Sequence, residues 1–265
     1  MKYKLIVMDV DNTLLCTDKS VSKKNLEAIK KCMDKGVMVS LASGRPALDV
    51  LYFAKQIGIE DNYHVSDNGA GIFKGNDRKI IKEFNRDFYL DLIDKLKSNN
   101  IECGVFSSEN FDFVYEEGDE VIAKGIKIYF PVTKSRIGNI RDIKGVYKVS
   151  TYFHNDEEYE FVKGLEKEGE MQGVVPDPNF FDMMPYNVTK IEGTRAIAEK
   201  LGISMDEVIV MGDQGNDYTN VKYAGLGVAV ANATDDLKAV ADVVLEQSCD
   251  EDAVAYVIDK YILGE

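Results

Sequence analysis

Lys4-Leu5-Ile6-Val7-Met8-Asp9-Val10-Asp11-Asn12-Thr13-Leu14 is the stretch on which the fold turns. Its first half is a short continuous apolar run, the mark of a strand covered on both faces, and it ends abruptly in a polar cluster. Working outward, Ser22 reads as a helix N-cap, Leu26, Ile29 and Met33 share one face, and Gly36 is the stop. Val37 to Ala42 is a second apolar strand, ending in Ser43-Gly44-Arg45. Pro46 suits a first helical turn, and Leu48, Leu51 and Tyr52 continue one helical face. A third strand near Tyr63 to Ser66 ends in Asp67-Asn68-Gly69.

The same rhythm returns near the C-terminus. Ile191 to Leu201 reads as a helix, and Glu207 to Met211 as a strand ending in Gly212-Asp213-Gln214-Gly215-Asn216-Asp217. Strands follow at Gly227 to Val230 and Asp242 to Leu245, with a short helix near Asp236 and a last one near Asp252 to Tyr261. Alternating strand and helix predicts an α/β fold, a Rossmann-like doubly wound parallel sheet with right-handed crossovers. Between Phe84 and Met183 the rhythm breaks. Aromatic-rich strands (Phe111 to Tyr115, Tyr147 to Phe153) mix with helices near Phe88 to Ser98 and Asp156 to Glu168, and Glu116, Glu117, Asp119 and Glu120 read as solvated surface. The expected organisation is a core of residues 1–83 and 184–265 carrying an inserted α+β cap of residues 84–183. Phe180, Phe181, Met183 and Met184 are expected in the core near the hinge.

The net charge of −14, from 46 acidic and 32 basic residues, repels polyanions, and the chain carries no basic stripe. Nucleic acid is therefore not an expected partner. No stretch approaches the roughly 20 apolar residues of a membrane span, and the N-terminal apolar run is too short for a signal segment. A cytoplasmic protein with no membrane partner is expected. Cys16, Cys32, Cys103 and Cys249 have no C-x-x-C spacing and read as free thiols. With histidine only at 64 and 154, a zinc site lacks ligands. Oligomeric state has no signature in the chain.

In open parallel sheets, ligands bind beyond the carboxyl ends of the strands. Four such ends here are polar clusters, and phosphoryl transfer would make one site of them. That reaction needs an in-line nucleophile, a cation and donors around the equatorial oxygens. Asp9 can attack as a carboxylate, and Asp11 can protonate the leaving oxygen and later activate water. Mg²⁺ takes hard oxygen ligands, which Asp9, the Asp11 carbonyl, Asp213 and Asp217 can supply. Lys190 can neutralise the acids and hold phosphate, and Ser43 can donate a hydroxyl hydrogen bond. Plainer readings exist: Asp213 and Asp217 as helix-start acids, Lys190 as a surface lysine, Ser43 as an N-cap.

Taken together, the motifs resemble the haloacid-dehalogenase-like phosphatase superfamily, in its Cof-type branch with a large inserted cap. Asp9-Val10-Asp11-Asn12-Thr13-Leu14 resembles the nucleophile motif D-x-D-x-T-L, and Ala42-Ser43-Gly44-Arg45 the second, phosphate-binding motif. Asn68-Gly69-Ala70 is similar to the branch's N-G-A turn, Val188-Thr189-Lys190 to the lysine motif, and Gly212 to Asp217 to the G-D-x-x-N-D metal motif. Gly227 to Ala233 resembles the turn that follows. The resemblance implies Asp9 as nucleophile, Asp11 as general acid/base, Asp213 as a Mg²⁺ ligand and a mobile cap that sets specificity. The expected set is then Asp9, Asp11 and Lys190 for catalysis; Asn12, Ser43, Gly44, Arg45, Asn68, Lys190 and Asn216 around substrate or phosphate; and Asp9, Asp11, Asp213 and Asp217 at the metal. Arg45 and Asn68 either touch substrate or brace the site. Asn12, Ile191 and Asn220 depart from the family's usual Gly, Gly and Met without removing a reacting group. The expected reaction is hydrolysis of a small phosphorylated metabolite, a sugar phosphate or a phosphorylated cofactor. The rivals are a sugar phosphomutase using the same acids and a non-catalytic phosphometabolite sensor. A response-regulator receiver has no room for an insert of this length.

Overall fold

The computed structural model describes residues 2–264. The chain divides into two compact units, one running to Lys79 and resuming at Thr189, the other Ile80–Val188.

In the first unit, β1 (Leu5–Met8) is buried along its whole length, as its unbroken apolar run requires. Ser22 caps α1 (Lys23–Asp34) by accepting from the Asn25 amide. The chain continues through β2 (Met38–Leu41), α2 (Ala47–Gln56) and β3 (Tyr63–Ser66), then turns back through β4 (Gly71–Lys74) and β5 (Asp77–Ile80).

The second unit holds α3 (Arg86–Ser98), β6 (Glu102–Ser107), β7 (Phe113–Tyr115), α4 (Glu120–Tyr129), β8 (Ser135–Ile137), β9 (Val146–Tyr152), α5 (Asp156–Lys163), β10 (Met171–Asp177) and β11 (Phe180–Pro185). Its sheet has the order β10-β11-β9-β6-β7-β8. All its pairings are antiparallel except β7 with β8. Leu92, Ile93, Val105, Val149, Phe181 and Met183 belong to its own apolar core. Phe181 and Met183 are thus core residues of the insert, placed by β11.

Back in the first unit come α6 (Lys190–Leu201), β12 (Val208–Gly212), α7 (Tyr218–Lys222), β13 (Leu226–Ala229), α8 (Asp235–Lys238), β14 (Val243–Val244) and α9 (Ala253–Ile258), the last continued by a π-type turn to Leu263. The sheet order is β14-β13-β12-β1-β2, every pair parallel, and an Ala42–Val65 bridge joins β3 beside β2. Its core gathers β1, β2, β12 and β13 with α1, α2 and α9. The parallel α/β core is the one the alternating pattern predicts, and the unit where that rhythm breaks carries a second, mostly antiparallel sheet. His64 is structural: its Nδ1 accepts from the Leu41 amide at 3.1 Å and its Nε2 meets the Ile59 carbonyl at 2.9 Å. All four cysteines are free thiols. Among the described residues no helix is long and apolar enough to cross a membrane.

Candidate active site

From β1 the chain steps to β2 and β3 on one side, and on its return it lays β12, β13 and β14 on the other. Strand order reverses between β1 and β12, so the loops leaving these two strands diverge and open a crevice. Asp9 follows β1 and Asp213 follows β12, across neighbouring strands paired Met8 to Met211.

Lys190, the first residue of α6, reaches into this crevice. Its Nζ is fully buried and donates to Asp9 Oδ1 at 2.5 Å and to Asp217 Oδ1 at 2.7 Å. The other Asp217 oxygen accepts from the amides of Asp213 and Gln214 at 3.3 and 3.4 Å. Asp217 therefore spends both oxygens on holding the lysine and the loop. Asp213 Oδ1 accepts from Thr13 Oγ1 at 3.2 Å, and its Oδ2 is buried with no hydrogen-bond partner among the described residues. Carboxylate oxygens of Asp9, Asp213 and Asp217 lie within 4.8 Å of one another.

Three buried acids and one cation perturb each other strongly. Burial, with Asp217 and Asp213 close by, pushes the Asp9 carboxyl well above the usual carboxylate range, against the pull of Lys190. Burial and Asp217 push Asp213 up to about 6. For Lys190 burial acts downward, but Asp217 and Asp9 outweigh it and raise its pKa. The cluster is thus short of positive charge. The orphaned Asp213 oxygen and an all-oxygen donor set fit a hard divalent cation such as Mg²⁺.

Asp11 faces a different partner. Arg45 grips its carboxylate with two bonds, Nε to Oδ2 at 2.6 Å and Nη2 to Oδ1 at 2.8 Å. Lys19 lies at 3.4 Å. Burial alone would raise the Asp11 pKa, but the hydrogen bonds and charge of Arg45 outweigh it and lower it.

The β2 and β3 loops interlock beside these groups. Ser43 is buried, its Oγ accepts from the Arg45 amide at 3.2 Å, and it caps no helix, since α2 starts at Ala47. Asn68 has φ +53 and accepts at Oδ1 from Asn216 Nδ2 at 3.0 Å, tying β3 to the metal-motif loop. Gly44 approaches so closely that an added Cβ would lie 2.9 Å from Asn68 Oδ1. Asn12 takes φ +57, a conformation asparagine tolerates, and its carbonyl accepts from Asn232 Nδ2 at 2.8 Å.

All eleven expected residues therefore lie at one end of the parallel sheet, on loops or, for Lys190, at the start of α6, in four linked groups: the Asp9–Lys190–Asp217 chain with Asp213, the Asp11–Arg45 pair, the Asn68–Asn216 pair beside Ser43 and Gly44, and Asn12 on Asn232. Three supporting roles were not read from the sequence. Thr13 holds Asp213, Asn232 bridges the Asn12 carbonyl and the Cys249 amide, and Gly69 lets the turn after β3 lie against the Thr189 carbonyl. Thr13 and Asn232 stand inside recognisable motifs, so a hydroxyl or amide at those fixed positions was the available signal.

The chain is similar to known proteins along almost its whole length. The chain is 28% identical over 264 residues to the 5-amino-6-(5-phospho-D-ribitylamino)uracil phosphatase YcsE of Bacillus subtilis, covering 98% of this chain and 96% of that protein. It is 27% identical over 248 residues to the phosphoglycolate phosphatase of Methanopyrus kandleri, covering 91% and 90%. A haloacid dehalogenase-like hydrolase structure from Bacteroides thetaiotaomicron superposes with TM-score 0.85 at 26% identity, covering 98% and 99%. The family model for haloacid dehalogenase-like hydrolases matches residues 6–258, and the chain belongs to that family.

Proposed function

We propose that the protein is a Mg²⁺-dependent phosphatase that hydrolyses small phosphorylated metabolites, sugar phosphates or phosphorylated cofactors, through an aspartyl-phosphate on Asp9. The observation that carries this reading is the buried Lys190 bridge between Asp9 and Asp217, with Asp213 alongside. The fully buried lysine bears a large desolvation cost, and it bears it where two acids and a third converge at the strand ends, as phosphoryl transfer requires.

A carboxylate oxygen of Asp9 attacks phosphorus, and the bond from phosphorus to the leaving oxygen breaks. Asp11, which Arg45 holds ionised in the resting site, takes up a proton before this step and gives it to that oxygen. As a carboxylate it then takes a proton from water, whose oxygen attacks the acyl-phosphate. The bond from phosphorus to Asp9 breaks, returning the Asp9 carboxylate and inorganic phosphate. Lys190 orients Asp9 and offsets charge on the transferring group. Ser43, Gly44, Asn12, Asn68 and Asn216 line the place where the phosphate sits. Asp9 and Asp213, with the Asp11 carbonyl, would hold the metal, and Asp217 braces the lysine and the loop. A bound Mg²⁺ would offset negative charge on the phosphate oxygens. The inserted unit supplies the choice of substrate.

The test is phosphate release from a panel of phosphomonoesters with Mg²⁺, comparing the wild type with Asp9→Asn. Release by the wild type that vanishes in Asp9→Asn is expected. Unchanged release by Asp9→Asn would sink the proposal, and an isomerised ester without free phosphate would point to a mutase.

A further inference from the structure

Arg45 belongs to the phosphate-binding motif, yet in this structure its guanidinium is directed at Asp11. Both oxygens of the Asp11 carboxylate are engaged, at 2.6 and 2.8 Å, by adjacent nitrogens of one planar group. Such a two-point bond fixes the plane of a carboxylate as well as its distance, which a single ammonium does not. Lys19, the other cation on Asp11, stands at 3.4 Å with a side chain 58% exposed, against 17% for Arg45.

Arg45 is itself held in place by its backbone and by an aromatic ring. Its amide donates to Ser43 Oγ at 3.2 Å and its carbonyl accepts from the Asp67 amide at 2.9 Å. Its guanidinium carbon lies 5.2 Å from the centre of the Phe53 ring on α2. The arginine therefore joins the rigid end of β2 to the carboxylate two residues beyond the nucleophile.

We infer that Arg45 is a positioning residue, which sets the orientation of the Asp11 carboxylate for proton transfer and does not act mainly by binding the phosphoryl group. The inference rests on the phosphatase reading above and assigns Arg45 its part in it. A proton donor or acceptor must lie within hydrogen-bond reach of its target, and a carboxylate free to rotate about its side-chain bonds loses that geometry. Removing the fork should therefore cost what Asp11 contributes to proton transfer.

The test compares Arg45→Met, Arg45→Lys, Asp11→Asn and the double variant on an alkyl phosphate and on p-nitrophenyl phosphate, whose leaving group needs no proton. For Arg45→Met, kcat/KM on the alkyl ester should fall about 100-fold, within the usual contribution of a general acid, and far less on the aryl ester. Arg45→Lys, which keeps the charge but not the fork, should fall nearly as far on the alkyl ester. Adding Arg45→Met to Asp11→Asn should change little more. An equal loss on both esters, with effects that multiply with those of Asp11→Asn, would make Arg45 a phosphate binder and overturn the inference. A crystal structure of Arg45→Met decides independently of activity. The Asp11 carboxylate should reorient while the Asp9–Lys190 bond stays in place, and an unmoved Asp11 refutes the inference. A reoriented Asp11 in a protein whose wild type releases no phosphate from any ester refutes the phosphatase reading alone.

Discussion

Lys190→Met removes the ammonium that bonds Asp9 and Asp217 while nearly keeping side-chain volume. Lys190 is fully buried and donates to two carboxylates, at 2.5 and 2.7 Å, with a third acid in the same 4.8 Å cluster. Breaking a buried ion pair by deleting one partner costs about 3–5 kcal/mol, because the other charge stays buried without compensation. At about 2–4 °C per kcal/mol for a protein of this size, the melting temperature in EDTA near pH 8 should drop by about 6–20 °C. The loss should shrink on acidification. Asp9 and Asp213 already have folded pKa values raised by burial and by Asp217, and without the lysine they rise further. An acid whose folded pKa lies above its unfolded one takes up protons first in the folded state, so stability recovers as pH falls through the folded value. Asp217→Asn added to Lys190→Met should restore part of the stability, since it removes one of the stranded charges. Scanning calorimetry on the variants at several pH values measures all of this. A Lys190→Met protein as stable as the wild type at pH 8, or one that loses more stability on acidification, would refute the reasoning.

Other outcomes are as specific. In EDTA the wild type should gain stability as pH falls from about 7 toward about 4, because Asp213 titrates at about 6 when folded and near the ordinary carboxylate value when unfolded. Mg²⁺ at about 100 times its Kd should add about 2.7 kcal/mol and flatten that dependence, measurable by thermal shift. Gly69→Ala forces a side chain onto a residue at φ +102, with its Cβ 2.0 Å from the Thr189 carbonyl. Destabilisation above about 2 kcal/mol and a shifted Lys190 are expected, read by denaturant titration and by residual phosphate release. Asn232→Ala removes a bridge between the Asn12 carbonyl and the Cys249 amide, and about 1–2 kcal/mol of stability should go with it in the same titration.

The core was legible because parallel strands buried on both faces leave unbroken apolar runs, and their carboxyl ends carry the polar residues. Leu5–Met8, Met38–Leu41, Tyr63–Ser66 and Val208–Gly212 lie where those runs predict strands. The insert was harder to read. Glu120–Tyr129 is a helix, where acids suggested only solvated surface, because its capping residue Asp119 makes no cap bond and Gly125 interrupts the helical signal. That glycine is required by packing, since a Cβ there would lie 2.1 Å from the Phe180 ring. Asp119 is itself buried and ion-paired with Lys97. The β4–β5 turnback after β3 was also missed, and α5 stops at Lys163, before Gly164, rather than running to Glu168. At the site, residue types and their places on strand ends were readable. Which acid each cation chooses was not. Lys190 bonding Asp217 and Arg45 bonding Asp11 are contacts across loops that no local spacing encodes.

Lys190 stands two residues beyond Val188, where the inserted unit ends. Only a short non-helical turn separates Pro185 from Lys190, and the Thr189 carbonyl already packs against Gly69, so deleting a residue there would drag the start of α6, and the ammonium with it, off both acids. The outgoing strand Asp77–Ile80, only partly buried, carries no such obligation. A change in the insert's length is therefore more tightly constrained where the chain returns to the parallel sheet than where it leaves.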